Sequence, residues 1–154
     1  MLINIVAVGS PRDRHVQAMA EDYIGRIRRY TRITLTMIRQ EPILPGRGPD
    51  GLRREASRFV VLMKGSYNVV LDREGEMMGS ESFAKFLNKR ILDGTKVVNI
   101  IIGGPMGIDV SIKKSADKVL SLSAMTFPHE LAVVIVAEQV YRAFAIMHGL
   151  PYHK

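Results

Sequence analysis

The sequence predicts an α/β domain of three layers around a mainly parallel sheet. Three observations carry the prediction. Short apolar stretches of strand character alternate along the whole chain with amphipathic stretches of helical period. One of them, Val97–Ile102, reads as a strand buried on both faces and stops abruptly at Gly103-Gly104. Glycine and proline punctuate the connections, and no apolar run approaches the ~18 residues that a membrane span needs.

Taken in order, Leu2–Val8 is a short apolar strand ending at Gly9. Val16, Met19, Tyr23, Ile27 and Tyr30 recur at helical spacing, so His15–Tyr30 is an amphipathic helix with Arg26, Arg28 and Arg29 on its other face. Ile33–Arg39 is β-branched and partly alternating, the pattern of a strand. Gln40–Asp50, with Pro42, Pro45, Gly46, Gly48 and Pro49, is an exposed loop carrying Arg47. Asp50 caps a helix with the stripe Leu52, Ala56, Phe59 and Met63, decorated by Arg53, Arg54 and Arg58 and stopped by Gly65. Tyr67–Asp72 is a strand and Arg73–Gly79 a loop. The helix from Ser80 to Leu92 turns Phe83, Leu87 and Ile91 inward and stops at Gly94. After the central strand, Asp109 can cap a helix over Asp109–Val119, with Lys113, Lys114 and Lys118 exposed. Leu120–Leu122 reads as one more short strand. Glu130–His148 is a helix apolar nearly all round, buried in its own core or on a second subunit. The tail G-L-P-Y-H-K places an aromatic and a histidine where termini are usually bland.

With 154 residues, residues 1–154 suit one domain with a real core. There are no cysteines, hence no disulfide framework and no thiolate chemistry, which fits a reducing cytoplasm. Met1–Val8 lacks a basic region or cleavage site, so a soluble, cytoplasmic protein is expected. The four histidines lack ligand spacing, and no metal site is expected. The net charge of +7 is uneven: residues 1–64 hold 12 Lys/Arg against 6 Asp/Glu, and residues 65–154 hold 10 against 9. Arginine forks suit phosphate, so the first half points to a polyanionic partner, with a merely solvated basic face as the other reading.

Ligands of open parallel sheets sit outside the carboxyl ends of the strands, so Gly103, Gly104 and Gly107 propose a ligand site. A glycine turn after a strand is as readily just a turn, and G-G-P-M-G has neither Rossmann nor P-loop spacing. Ser121–Pro128, small and hydroxyl residues fixed by a proline, can form a second wall of the same pocket.

Five ordered segments make the sequence more specific than any one turn. L-D-R-E-G-E-M-M-G-S-E-S-F-A (Leu71–Ala84), I-G-G-P-M-G (Ile102–Gly107), S-L-S-A-M-T-F-P-H (Ser121–His129), A-E-Q-V-Y-R-A (Ala137–Ala143) and P-Y-H-K (Pro151–Lys154) closely resemble the ribosomal RNA large subunit methyltransferase H family. Ile5–Gly9 resembles it too, and length and motif order match over the whole chain. The resemblance implies a SPOUT-class methyltransferase with a carboxyl-terminal trefoil knot, which periodicity alone would never suggest. It implies an obligatory homodimer that moves a methyl group from S-adenosylmethionine to N3 of a pseudouridine, in a hairpin loop of 23S ribosomal RNA in the assembled ribosome. Carried over, the cofactor contacts are Leu71, Gly103, Gly104, Gly107, Leu122, Ser123, Ala124, Met125, Thr126 and Phe127. His129, Tyr152 and His153 match the active-site region, the tail lying near the partner subunit's cofactor. Two positions depart: Ser10 stands where members often carry lysine, and Val133 where many carry arginine.

The acceptor nitrogen must lose a proton as it gains the methyl. His153 is the candidate base, since histidine titrates ordinarily near pH ~6.5. An imide is far less acidic, so the developing anion needs stabilising as well. His129 and Tyr152 are alternatives as orienting or hydrogen-bonding groups. Arg28, Arg29, Arg53 and Arg54 are expected to contact RNA phosphates. Two other readings stand beside this one: a non-catalytic knotted ribosome- or RNA-binding protein, to which Val133 lends weight, and a nucleotide-binding enzyme of another α/β class.

Overall fold

A computed structural model describes residues 1–42 and 48–153, the side chain of His153 excepted. The elements are β1 (Leu2–Val8), α1 (Arg14–Ile27), β2 (Arg32–Ile38), α2 (Gly48–Met63), β3 (Tyr67–Met77), α3 (Ser80–Leu92), β4 (Val97–Ile102), α4 (Val110–Lys114), β5 (Lys118–Ser121), α5 (His129–Met147) and a final 3-10 turn, Pro151–His153. The strand order is β2-β1-β4-β3-β5 and every pairing is parallel, with β4 in the middle as its apolar sequence requires.

Alternation along the strands makes the layers. Ile3, Ile5, Ala7, Val98, Ile100 and Ile102 face α1, α3 and α5, where Ala20, Ile24, Leu87, Ala137 and Val140 meet them. Val6, Val8, Val70 and Ile101 face α2 and α4, meeting Ala56, Phe59, Met63 and Ile112. The arrangement is helices, sheet, helices, as the sequence predicts.

Several boundaries move, each for a physical reason. The apolar stripe of α1 runs through Ala20, Ile24 and Ile27, and Met19 lies off it, 51% exposed. The helix starts at Arg14 because the Asp13 carboxylate accepts from the His15 and Val16 N–H groups, at 2.7 and 3.4 Å. α2 starts at Gly48, so Asp50 sits inside its first turn rather than before it, and Pro49 loses nothing there for want of an N–H. Arg47, expected on the preceding loop, lies outside the described residues. In α3 Ala84 and Leu87 are buried and Phe83 packs half-buried against the same core, as expected, while Ile91 is exposed.

β3 does not end at Asp72 but returns to pair with β5 after a bulge: both Leu71 and Glu76 stand opposite Leu120. A Cβ on Gly75 would lie 2.6 Å from the Leu120 carbonyl carbon, so only glycine lets the chain pass this close. α4 stops at Lys114 and β5 starts at Lys118 because Asp117 draws the chain into the sheet. Its N–H donates to Asn68 O at 2.9 Å, and its carboxylate accepts from the Asn68 N–H at 2.7 Å. No described helix is long and apolar enough to cross a membrane.

Candidate active site

β4, β3 and β5 are neighbours, so the turns that follow them come together at one edge of the sheet. There they enclose a cleft of about 880 Å³. Leu71 and Asp72 form one wall, the Gly103–Gly107 turn a second, and Ser121–Pro128 a third, with His129 and Ala132 from the start of α5. Every residue expected to hold the cofactor lines this cleft except Ala124, which is exposed outside it.

The glycine turn is tight. Gly107 N–H donates to Gly104 O at 2.9 Å, and a Cβ on Gly103 would stand 2.6 Å from Gly107 O. Absence of side chains here leaves backbone as the wall. Asp109 ends the turn and starts α4, its carboxylate accepting from the Ser111 N–H at 2.8 Å and hydroxyl at 2.5 Å. Those two bonds, with a smaller contribution from Arg53, outweigh burial and hold the Asp109 carboxyl below the usual range. The third wall is folded by serines: Ser121 Oγ donates to Ser123 O at 2.9 Å, and Ser123 Oγ accepts from the Met125 N–H at 3.0 Å. Leu122 and Phe127, each 36% exposed, give the cleft an apolar lip.

Two lysines that the sequence places outside are drawn inward, and the first of them lines the cleft. Lys113, expected to be exposed, is half-buried and ion-paired with Asp72 at 2.9 Å across the cleft wall. Lys118, likewise expected outside, is half-buried and paired with Glu76 at 2.7 Å. The signal for the first pair was an aspartate directly after an apolar strand and a lysine within the helix that follows a glycine turn.

The tail is elsewhere in the same chain. Tyr152 packs edge-on against Tyr141 at 4.8 Å, under the Arg142 guanidinium at 4.9 Å. Its hydroxyl lies 3.3 Å from that of Tyr23 and donates to Glu138 Oε1 at 3.3 Å. Burial, then the Tyr23 hydroxyl and the Glu138 charge, push the Tyr152 phenol up, so it stays protonated. Glu138 stands nine residues beyond His129, ~14 Å along α5. Tyr152 therefore does not meet its own chain's cleft. His153 closes the final turn, and its side chain lies outside the described residues.

The arginines separate as well. α1 runs back from the carboxyl edge of the sheet, so Arg28 and Arg29 sit exposed at the amino edge. Arg53 and Arg54 lie in the first turns of α2, on the carboxyl side of the sheet, and neither lines the cleft; Arg54 pairs with Glu41 at 2.8 Å, alongside Arg58. Val133 is 1% exposed within the core, so its side chain offers nothing to solvent or RNA. Among the described residues no three His, Cys, Asp or Glu side chains form a group suited to a metal ion.

Fold and cleft together define a parallel α/β domain with a concave site at its strand ends. The chain belongs to the SPOUT methyltransferase family: the family model described as "Predicted SPOUT methyltransferase" matches residues 1–153. Within that family it is similar to proteins named Ribosomal RNA large subunit methyltransferase H. It is 42% identical to the one from Syntrophobacter fumaroxidans over 158 residues, with all of both chains covered. To the one from Clostridium kluyveri it is 38% identical over 159 residues, again with full coverage of both. Among solved structures, a probable methylase family protein from Haemophilus influenzae superposes with a TM-score of 0.60 at 10% identity, over 99% of this chain and 70% of that one. The last comparison speaks to the fold alone.

Proposed function

We propose that this protein transfers a methyl group from S-adenosylmethionine to ribosomal RNA, at N3 of a pseudouridine in a hairpin loop of 23S ribosomal RNA within the assembled ribosome. The observation that carries the reading is the convergence of Leu71, Gly103–Gly107 and Leu122–Phe127 on one cleft of about 880 Å³. Membership of a methyltransferase family and full-length similarity to proteins named for ribosomal RNA methylation support it.

The cleft fits the donor. Its bare backbone at Gly103 and Gly104 and its apolar Leu71, Leu122 and Phe127 suit a nucleoside: backbone groups for the base edge and ribose, side chains for the base faces. When bound, the donor supplies an electrophilic methyl on a positively charged sulfur. Transfer breaks the sulfur–methyl bond, its electron pair staying on sulfur, and forms a nitrogen–methyl bond, while the acceptor's proton passes to a base. Positioning in line supplies much of the rate.

Residues 1–154 act, in this reading, as one domain with the trefoil crossing of its family, working as a homodimer in the cytoplasm. A tail held ~14 Å along α5 from its own cleft is suited to serve the partner's cleft. His153 is then the base, with Tyr152 and His129 orienting the acceptor. Arg28, Arg29, Arg53 and Arg54 contact RNA phosphates.

Mass spectrometry of ribosomal RNA, after ribosomes are incubated with the protein and labelled donor, tests the reading. One added methyl at a pseudouridine is expected, and lost in His153→Ala while donor binding persists. No transfer to ribosomes, with no donor binding by calorimetry, would overturn it.

A further inference from the structure

The glycine turn and apolar lip of the cleft account for a nucleoside, but one feature of its wall is foreign to that task. Lys113 and Asp72 form an ion pair inside the cleft, their side chains only 26% and 18% exposed. The two come from elements that frame the site: Asp72 follows Leu71 on β3, and Lys113 lies on α4 directly after the glycine turn. An ion pair removed from water recovers its desolvation cost only with further partners, so as a plain strut between β3 and α4 it gains little.

Its bonding capacity is also incomplete. Asp72 Oδ1 accepts from the Glu74 N–H at 3.0 Å and Oδ2 from Lys113 Nζ at 2.9 Å, leaving a lone pair on each oxygen. Lys113 Nζ makes that one bond among the described residues and has two more hydrogens to give. Burial raises the Asp72 carboxyl, but the Glu74 N–H and the Lys113 ammonium outweigh it and keep it ionised. The wall thus holds a fixed plus–minus pair at hydrogen-bond separation, with unused capacity on both members, beside a nucleoside-sized space.

We infer that the Lys113–Asp72 pair reads the amino-acid end of the methyl donor: Lys113 donates to its α-carboxylate and Asp72 accepts from its α-ammonium. The two ion pairs lie antiparallel, so each charge gains a second opposite neighbour. This rests on the reading that the cleft takes S-adenosylmethionine. It makes the pair the determinant that separates the whole donor from nucleosides lacking the amino acid.

Calorimetry with two ligands tests it. S-adenosylhomocysteine carries the amino-acid end; 5′-methylthioadenosine lacks it and keeps the nucleoside. Lys113→Met and Asp72→Asn are each expected to weaken S-adenosylhomocysteine by about 10-fold or more and to change 5′-methylthioadenosine by less than about 2-fold. Equal losses for both ligands would make the pair a strut that shapes the cleft and would overturn the assignment, as would no loss for either. A measurement on the unaltered protein stands if a variant does not fold. Decarboxylated S-adenosylmethionine is expected to bind about 10-fold more weakly than S-adenosylmethionine, and equal affinity for the two overturns the role of Lys113. If the unaltered protein binds 5′-methylthioadenosine but prefers neither amino-acid ligand, only this inference fails. If it binds none of these ligands, the donor reading fails and takes the inference with it.

Discussion

The two ends of the sheet are built by opposite means. At the amino end, one register row runs across four strands: Thr34, Asn4, Asn99 and Asn68 stand side by side. Asn4 Nδ2 donates to Asn99 Oδ1 at 3.1 Å, and Asn99 Nδ2 to Asn68 Oδ1 at 2.9 Å. Thr34 and Thr36 hydroxyls both donate to Asn4 Oδ1, at 2.9 and 2.8 Å. The row also closes the end of α2, since Asn99 donates to Leu62 O and Asn68 to Met63 O, carbonyls left without partners by the helix. At the carboxyl end the same strands run into turns of glycine and serine around an open cleft. One end uses neutral side-chain amides to fix register and satisfy every carbonyl it meets. The other withholds side chains so that a ligand can meet backbone. Because register is locked at the first, the second can be loosely filled and still hold its shape.

The register lock fails most completely when the middle of the row is removed. Asn99→Ala strands the Asn4 amide, the Asn68 carbonyl and Leu62 O, all in a site where Asn99 is 1% exposed. A loss of about 3–5 kcal/mol, a thousand-fold in the folding equilibrium, is expected by urea denaturation. Donor affinity of the protein that remains folded should hold within about 2-fold. If affinity collapses while stability does not, the row serves the cleft and the division of labour is wrong.

At the other end the largest effect comes from the smallest change. Gly103→Ala drives a Cβ to 2.5 Å from Ile108 Cγ1 and 2.6 Å from Gly107 O, so the turn itself must shift. Donor binding is expected to fall by about 100-fold, with stability lowered by only ~1–2 kcal/mol. Gly25→Ala, where nothing lies within 4 Å on the outer face of α1, is the contrasting change. It should raise stability by ~0.5–1 kcal/mol and leave binding alone.

What the sequence revealed divides along the same line. β1 and β4 are found residue for residue because their apolar runs are bounded by polar or glycine punctuation. The cleft was legible because glycines and serines accumulate after three successive strands. The second half of β3 was not: D-R-E-G-E-M is polar, and its pairing depends on a bulge that sequence period does not encode. Lys113 was misjudged because a lysine on a short helix is ordinarily outside, and only tertiary placement brings Asp72 to it. The asparagine row left a signal that went unread. Asparagine is disfavoured in strands, yet three predicted strands each carried one. Tyr152 was placed by resemblance, and the side chains it packs on, Tyr23 and Tyr141, carry no mark of that contact in sequence.

Charge offers a milder contrast between the ends. Reversing Arg53 and Arg54 to glutamate, on the same side of the sheet as the cleft, is expected to weaken ribosome binding by about 10-fold near 0.1 M salt and to flatten its salt dependence. The same reversal at Arg28 and Arg29, on the far edge, is expected to cost about 3-fold. Filter binding across a salt series reads both. A larger loss at the far edge would mean that RNA reaches it by way of a partner subunit's cleft.

The smallest effect concerns the kind of polar group each end buries. The amino end buries amides, but beside α2's start the carboxyl end buries a carboxylate, Glu55, at 6% exposure. Burial raises its pKa; the Glu41 N–H, donating at 2.8 Å, and the Arg58 charge offset this only in part, and the Glu41 charge adds to the rise. A raised carboxyl favours the protonated native state, so its contribution is full below the unfolded pKa and disappears as pH climbs through the native one. At neutral pH the fold therefore carries a desolvated charge. Glu55→Gln keeps an acceptor for the Glu41 N–H and removes that charge, so its melting temperature should exceed the parent's by ~2 °C at pH 7.5. The gap should close as pH falls toward 4, where the parent's carboxyl is neutral too. A variant less stable than the parent at pH 7.5 would mean that attraction to Arg58 outweighs burial, and that the ionised carboxylate is a net gain to the fold.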